Sequence, residues 1–138
     1  MAEPGLSIVV QSGGYDRVHY ALVMASAAAA IGRPALLFFT GRALPALLEG
    51  NGWHRLDAAD DGSAPLDRDT ELAALNVATL PELMDACAAL GVRVIACEMG
   101  WRALGMADPA LRPDLKVETA GIVTLLGATP PGAHLVYV

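Results

Sequence analysis

The sequence predicts a single α/β domain, a mostly parallel sheet of about five strands with helices on both faces. Three observations lead there. The apolar runs Leu6–Val10 (LSIVV), Pro34–Thr40 (PALLFFT) and Val92–Ala96 are short and continuous, as strands buried on both faces are. Segments with helical spacing lie between them, and Gly or Pro marks the changes from one to the other. Strands alternating with helices at this spacing indicate parallel pairing. At 138 residues the chain is one domain, 1–138, long enough for a real core, and it shows no internal repeat.

Taken in order, Leu6–Val10 is the first strand, and Gln11-Ser12-Gly13-Gly14 is a turn in which two glycines permit unusual dihedrals. Asp16 is positioned to cap an alanine-rich helix over Val18–Ile31, which Gly32 ends. Pro34–Thr40 is the second strand. Gly41 turns the chain into a short helix over Arg42–Leu48, ended by Gly50. From Asn51 to about Asp69 the apolar pattern fails and Asp57, Asp60, Asp61, Asp67 and Asp69 accumulate, which reads as a solvated, variable loop rather than a metal loop. Thr70–Asn76 reads as one or two helical turns. Thr79 at an N-cap, Pro81 in the first turn and a Glu82 reaching back open a helix over Pro81–Leu90, stopped by Gly91. After the strand Val92–Ala96 comes a short helical segment with Gly100 and Gly105, then a loop over Ala107–Pro113. Glu118–Leu126 reads as a helix, Thr129-Pro130-Pro131-Gly132 as a turn, and His134–Val138 as the last strand.

Composition narrows the function. The chain is 54% hydrophobic and 17% charged, so part of its surface is expected to be buried against copies of itself. A net charge of −6 with a single lysine, Lys116, argues against nucleic acid and anionic membranes as partners. The apolar stretch Tyr20–Thr40 is broken at Gly32-Arg33-Pro34, and each piece is shorter than the roughly 20 residues of a membrane-spanning helix. Met1–Ser7 has no basic region or apolar core of a secretory signal, and two cysteines make no disulfide framework, so a reducing cytoplasm is expected. Nothing in the sequence asks for a metal or a cofactor.

The chemistry concentrates in Val92–Met106 (VRVIACEMGWRALGM), where a buried strand ends at Cys97 and a helix begins. The carboxyl edge of a parallel sheet is where ligands sit, and a thiol at a helix N-terminus feels a field that favours thiolate. Cys97 is therefore the candidate nucleophile; the plainer reading is a small buried hydrophobe, the usual fate of a free cysteine. Glu98 either opposes the thiolate or points to solvent. Met99 and Trp101 line a pocket or form a subunit contact. Gly13, Gly14, Tyr15, Asp16 and His19 follow the first strand and are expected on the same sheet edge, with backbone N–H groups suited to a small anion. His19 is a proton donor or acceptor near the sulfur, or a solvent-facing residue. Thr40 ends the second strand on that edge. Cys87 falls at helical spacing with Met84 and Leu83, as a core residue does.

Three blocks together resemble the DsrE/DsrF-like family of small sulfur-relay proteins, in particular its DsrE2-like branch. They are Gly13–Ala30 with Asp16 and the alanine-rich helix, Leu36–Leu44 containing FFTGRAL, and Ile95–Met106 (IACEMGWRALGM) followed by Val117 and Ala120-Gly121-Ile122. They span nearly the whole chain apart from Asn51–Asp69. The resemblance implies a compact DsrE/YchN-like α/β fold that assembles into oligomers. It implies a cysteine, at the position of Cys97, that accepts sulfane sulfur as a persulfide from donor proteins or small thiols and relays it to an acceptor. Gly100-Trp101-Arg102 departs from the more polar, methionine-rich segment usual after that cysteine. The alternative is a non-catalytic oligomeric module of the same fold that binds a small ligand or a protein.

Overall fold

The computed structural model describes residues 3–138. Five strands form one parallel sheet in the order β4-β3-β2-β1-β5: β1 Leu6–Val10, β2 Ala35–Phe39, β3 Arg93–Cys97, β4 Glu118–Ala120 and β5 His134–Tyr137. The helices are α1 Tyr15–Ala30, α2 Pro65–Ala74, α3 Leu80–Ala89, α4 Glu98–Ala103 and α5 Ile122–Gly127. Short 3-10 helices cover Gly41–Leu47 and Gly52–Arg55.

The strand order decides which face each helix covers. The chain steps in one direction from β1 to β4, and right-handed crossovers keep the connecting helices on one face. It then steps back across the sheet to β5, and α5 falls on the other face. Strand alternation reports the same division. Ile8, Leu37, Phe39, Val94 and Ala96 join one large core with Val18, Leu22 and Ala25 of α1 and Leu83, Met84 and Cys87 of α3. Leu36, Phe38, Ile95 and Cys97 turn the opposite way and meet only Leu125 of α5 among buried side chains. The first face is thick and the second is thin.

Helices α1 and α3 pack because each presents small or apolar residues at helical spacing: Val18, Ala21, Leu22, Ala25 and Ala28 on α1, and Leu80, Leu83, Met84 and Cys87 on α3. Thr79 caps α3 by accepting from the amide of Glu82 at 3.3 Å, as its sequence indicates.

The structure corrects three local readings. The stretch expected as a loop over Asn51–Asp69 holds the 3-10 helix Gly52–Arg55 and the first half of α2, because Trp53, Leu56, Ala59 and Pro65 are buried and supply the apolar anchors. Three of its aspartates are engaged: Asp57 pairs with Arg42, Asp61 accepts from Ser63, and Asp69 is buried and bonded to Tyr15 and Leu80. The helix expected over Glu118–Leu126 is a three-residue strand followed by α5, since Glu118 and Thr119 pair with Ile95 and Ala96 at the sheet edge. Asp16 does not cap α1, which begins one residue earlier behind Gly14; its Oδ2 accepts instead from the amide of Asp60 at 2.7 Å. The short helix expected over Arg42–Leu48 is present, as a 3-10 helix over Gly41–Leu47 with Pro45 inside it.

Asp69 is the joint between three helices. Its Oδ1 accepts from the hydroxyl of Tyr15 at 2.5 Å and from the amide of Leu80 at 2.7 Å, so α2 caps α3 and holds the first turn of α1. Tyr15 is fully buried, and burial, reinforced by the Asp69 carboxylate, pushes its hydroxyl well above the usual tyrosine range. The sign of the pH effect follows. Below about pH 10 the tyrosine is protonated whether folded or unfolded; above it the unfolded chain ionises and the folded one resists, so stability falls. Tyr15→Phe is expected to lower the unfolding free energy by about 2 kcal/mol near neutral pH, the loss of a buried bond to a charged acceptor. Urea denaturation from pH 7 to 11 should show this penalty shrinking above pH 10. A constant penalty across that range overturns the coupling.

Candidate functional site

The site is built where β2 and β3 end. Cys97 is the last residue of β3 and the N-cap of α4, and its Sγ accepts from the amide of Gly100 at 3.3 Å. Cys97 is 4% exposed and packs among Leu36, Phe38, Ile95 and Leu125 on the thin face. Gly100 must be glycine for this approach: a Cβ there would stand 2.7 Å from Cδ1 of Leu44, a fully buried side chain, and 3.2 Å from Oγ1 of Thr40.

Thr40 lies beside the sulfur by register. Phe39 pairs with Ala96, so the next residues along the two strands are Thr40 and Cys97. Thr40 is extended (φ −143°, ψ 174°), so alternation carries its side chain to the face of Leu36 and Phe38. One strand further, Gln11 follows Val10, which pairs with Phe39, and the exposed Gln11 folds over Gly41. A polar row of Gln11, Thr40 and Cys97 thus crosses the carboxyl ends of the three central strands. Gly100 and Gln11 were not singled out from sequence as site residues. The period-2 alternation that puts Val9, Phe38 and Cys97 on one face is the signal that would have found Gln11.

The other sequence candidates lie elsewhere. Tyr15 is committed to Asp69, and His19 donates through Nε2 to the carbonyl of Ala78 at 2.7 Å, tying α1 to the segment before α3 on the thick face. Neither joins Cys97, because α1 crosses on the side away from the sulfur. Four amides of the glycine turn are spent within the protein: those of Gln11 and Ser12 donate to Val138, that of Gly14 to Ser12 and that of Tyr15 to Asp57. Gly13 is needed for packing, since a Cβ there would stand 2.6 Å from Arg42. Asp16 serves the loop at Asp60. Glu98 and Met99 point outward, and Met99 is 68% exposed. Trp101 is buried in the large core, and its indole N–H has no acceptor among the described residues.

Two clefts border the edge. One of about 380 Å³ is lined by Glu98, Trp101, Arg102, Met106, Pro109 and Thr119, without Cys97. Its Thr119 pairs with Ala96, whose side chain faces the thick side, so this cleft lies across α4 from the sulfur. A second, of about 420 Å³, includes Gln11, Arg17, Arg42 and Tyr137. Arg42 is bonded to Asp57 there and holds that carboxyl below the usual range. Cys87 contrasts with Cys97: it is fully buried between α3 and α1, its thiol faces the carbonyl of Leu22 at 3.8 Å, and burial pushes it up to about 11.

With this geometry in place, comparison with known proteins identifies the fold. The ychN protein from E. coli superposes with a TM-score of 0.60 at 14% identity, covering 97% of this chain and 99% of that one. MTH1491 from Methanobacterium thermoautotrophicum, described as a protein of unknown function, gives 0.61 at 13% identity, over 99% and 100%. The chain has a DsrE/YchN-like fold. In sequence it is 25% identical over 151 residues to the uncharacterized protein YrkE of Bacillus subtilis (strain 168), across 92% of each. No family model matches. Among the described residues no helix is long and apolar enough to cross a membrane.

Proposed function

We propose that this protein is a sulfur carrier that takes sulfane sulfur onto Cys97 as a persulfide and hands it to an acceptor thiol in a reducing cytoplasm. The observation that carries this reading is the contrast between the two thiols. Cys87 is locked in the thick core with a thiol pushed up to about 11, whereas Cys97 ends a central strand with its sulfur on a backbone amide. The DsrE/YchN-like fold supports the reading at the level of architecture.

The chemistry is two displacements. The Cys97 thiolate attacks the outer sulfur of a donor such as thiosulfate; the donor S–S bond breaks, sulfite leaves with the electron pair, and Cys97 carries an anionic persulfide. An acceptor thiolate then attacks that outer sulfur, and the Cys97 thiolate departs. No oxidant or cofactor enters either step. Access requires α5 to yield, and α5 is suited to that: it has six residues, one buried side chain, Leu125, and a hydroxyl link from Thr129 to Ser7.

Burial of the Cys97 sulfur favours a second reading, a non-catalytic module that binds a ligand or protein at the same edge. Intact-mass measurement after incubation with thiosulfate or polysulfide separates the two. The carrier reading predicts a one-sulfur increment that Cys97→Ser loses and Cys87→Ser keeps; no increment in the wild type, or retention in Cys97→Ser, overturns it.

The same fold is proposed to work as a homo-oligomer. On the thin face Ile122, Val123 and Leu126 of α5 are exposed, along with Leu135 and Tyr137 of the edge strand β5. Such a patch on a sheet with an unpaired edge is a surface suited to a second copy. Sedimentation at micromolar concentration should show an oligomer that Val123→Asp with Leu126→Asp dissociates; a wild-type monomer overturns the assembly.

A further inference from the structure

Thr40 is a capping residue that does not cap. It occupies the N-cap of the 3-10 helix Gly41–Leu47, where a threonine hydroxyl ordinarily accepts from an amide one turn on, yet it makes no such bond. Its hydroxyl has no side-chain hydrogen bond among the described residues, and the residue is half-buried, so the group is both unspent and reachable. Register sets Thr40 opposite Cys97 on the thin face, and its Oγ1 stands 3.2 Å from where a Gly100 Cβ would be, a point itself 3.4 Å from the Cβ of Cys97.

We propose that the Thr40 hydroxyl donates a hydrogen bond to the outer sulfur of the persulfide on Cys97, while the Gly100 amide holds the inner sulfur. This rests on the sulfur-carrier reading and specifies its bound form, an anionic persulfide held by neutral donors. The charged side chains on the surrounding elements do not take that role. Glu98 and Arg102 on α4 are exposed, Arg42 after β2 is paired with Asp57, and Glu118 on β4 is paired with Arg93. A neutral donor stabilises the anion without trapping it as an ion pair, as a relay requires. Thr40 is thus a positioning residue for the carried sulfur.

The test compares wild type, Thr40→Val and Thr40→Ser, each loaded with polysulfide and then alkylated across a pH series, with products read by intact mass. Thr40→Val keeps the shape and removes the donor; Thr40→Ser restores it. The expected result is a midpoint for persulfide alkylation raised by about one pH unit in Thr40→Val, a tenfold shift in ionisation. Thr40→Ser should return to the wild-type midpoint. Coincident profiles for wild type and Thr40→Val overturn the inference while leaving the carrier reading intact. Failure of the wild type to load sulfur overturns both. If Thr40→Val does not fold, Thr40→Ala removes the same donor and is read in the same way.

Discussion

The handedness of the crossovers governs this molecule. Four strands laid down in one direction put α1 and α3 on a single face, and the return to β5 leaves the other face to α5 alone. Period-2 alternation then sorts every strand residue between a thick core and a thin one. Cys97 is sorted to the thin side and Cys87 is packed beneath the thick side, so two chemically identical thiols acquire different environments from topology.

Rigidity on one face complements the sparse cover on the other. The Asp69 carboxylate joins α1, α2 and α3 through Tyr15 and the Leu80 amide, and His19 adds a bond to Ala78. These groups fix the helices that carry the sheet, and the sheet fixes the ends of β2 and β3. Against that frame the proposed sulfur-carrier site would need few parts: a sulfur at a strand end, a glycine whose missing Cβ lets α4 approach Thr40 and Leu44, and a hydroxyl one strand away.

Much of this was legible in the sequence. Continuous apolar runs marked β1, β2 and β3 because both of their faces are covered, and Thr79 with Pro81 marked the start of α3. Strand β4 was not legible: Glu118-Thr119-Ala120 is short, polar and at an edge, and it is a strand only because β3 pairs with it. Only the second half of helix α2 was legible, as helical turns over Thr70–Asn76; its first half was hidden because its buried face includes a carboxylate, Asp69, where apolar periodicity expects a hydrophobe. At the site, Cys97 and Thr40 stood out by position at strand ends. Tyr15 and His19 were misplaced because sequence proximity to a strand end does not say which face the following helix takes. Gly100 was seen only as a punctuation mark, since its contact with Leu44 and Thr40 is tertiary.

The central claim is that topology leaves Cys97 under a thin cover and locks Cys87 in the thick core. The most direct measurement is the alkylation of both cysteines in the native wild-type protein, followed in one time course by peptide mass spectrometry. The account predicts that Cys97 is modified through local opening at α5 while Cys87 stays protected until the whole domain unfolds. Modification of both at one slow rate, rising together only with global unfolding, would contradict it.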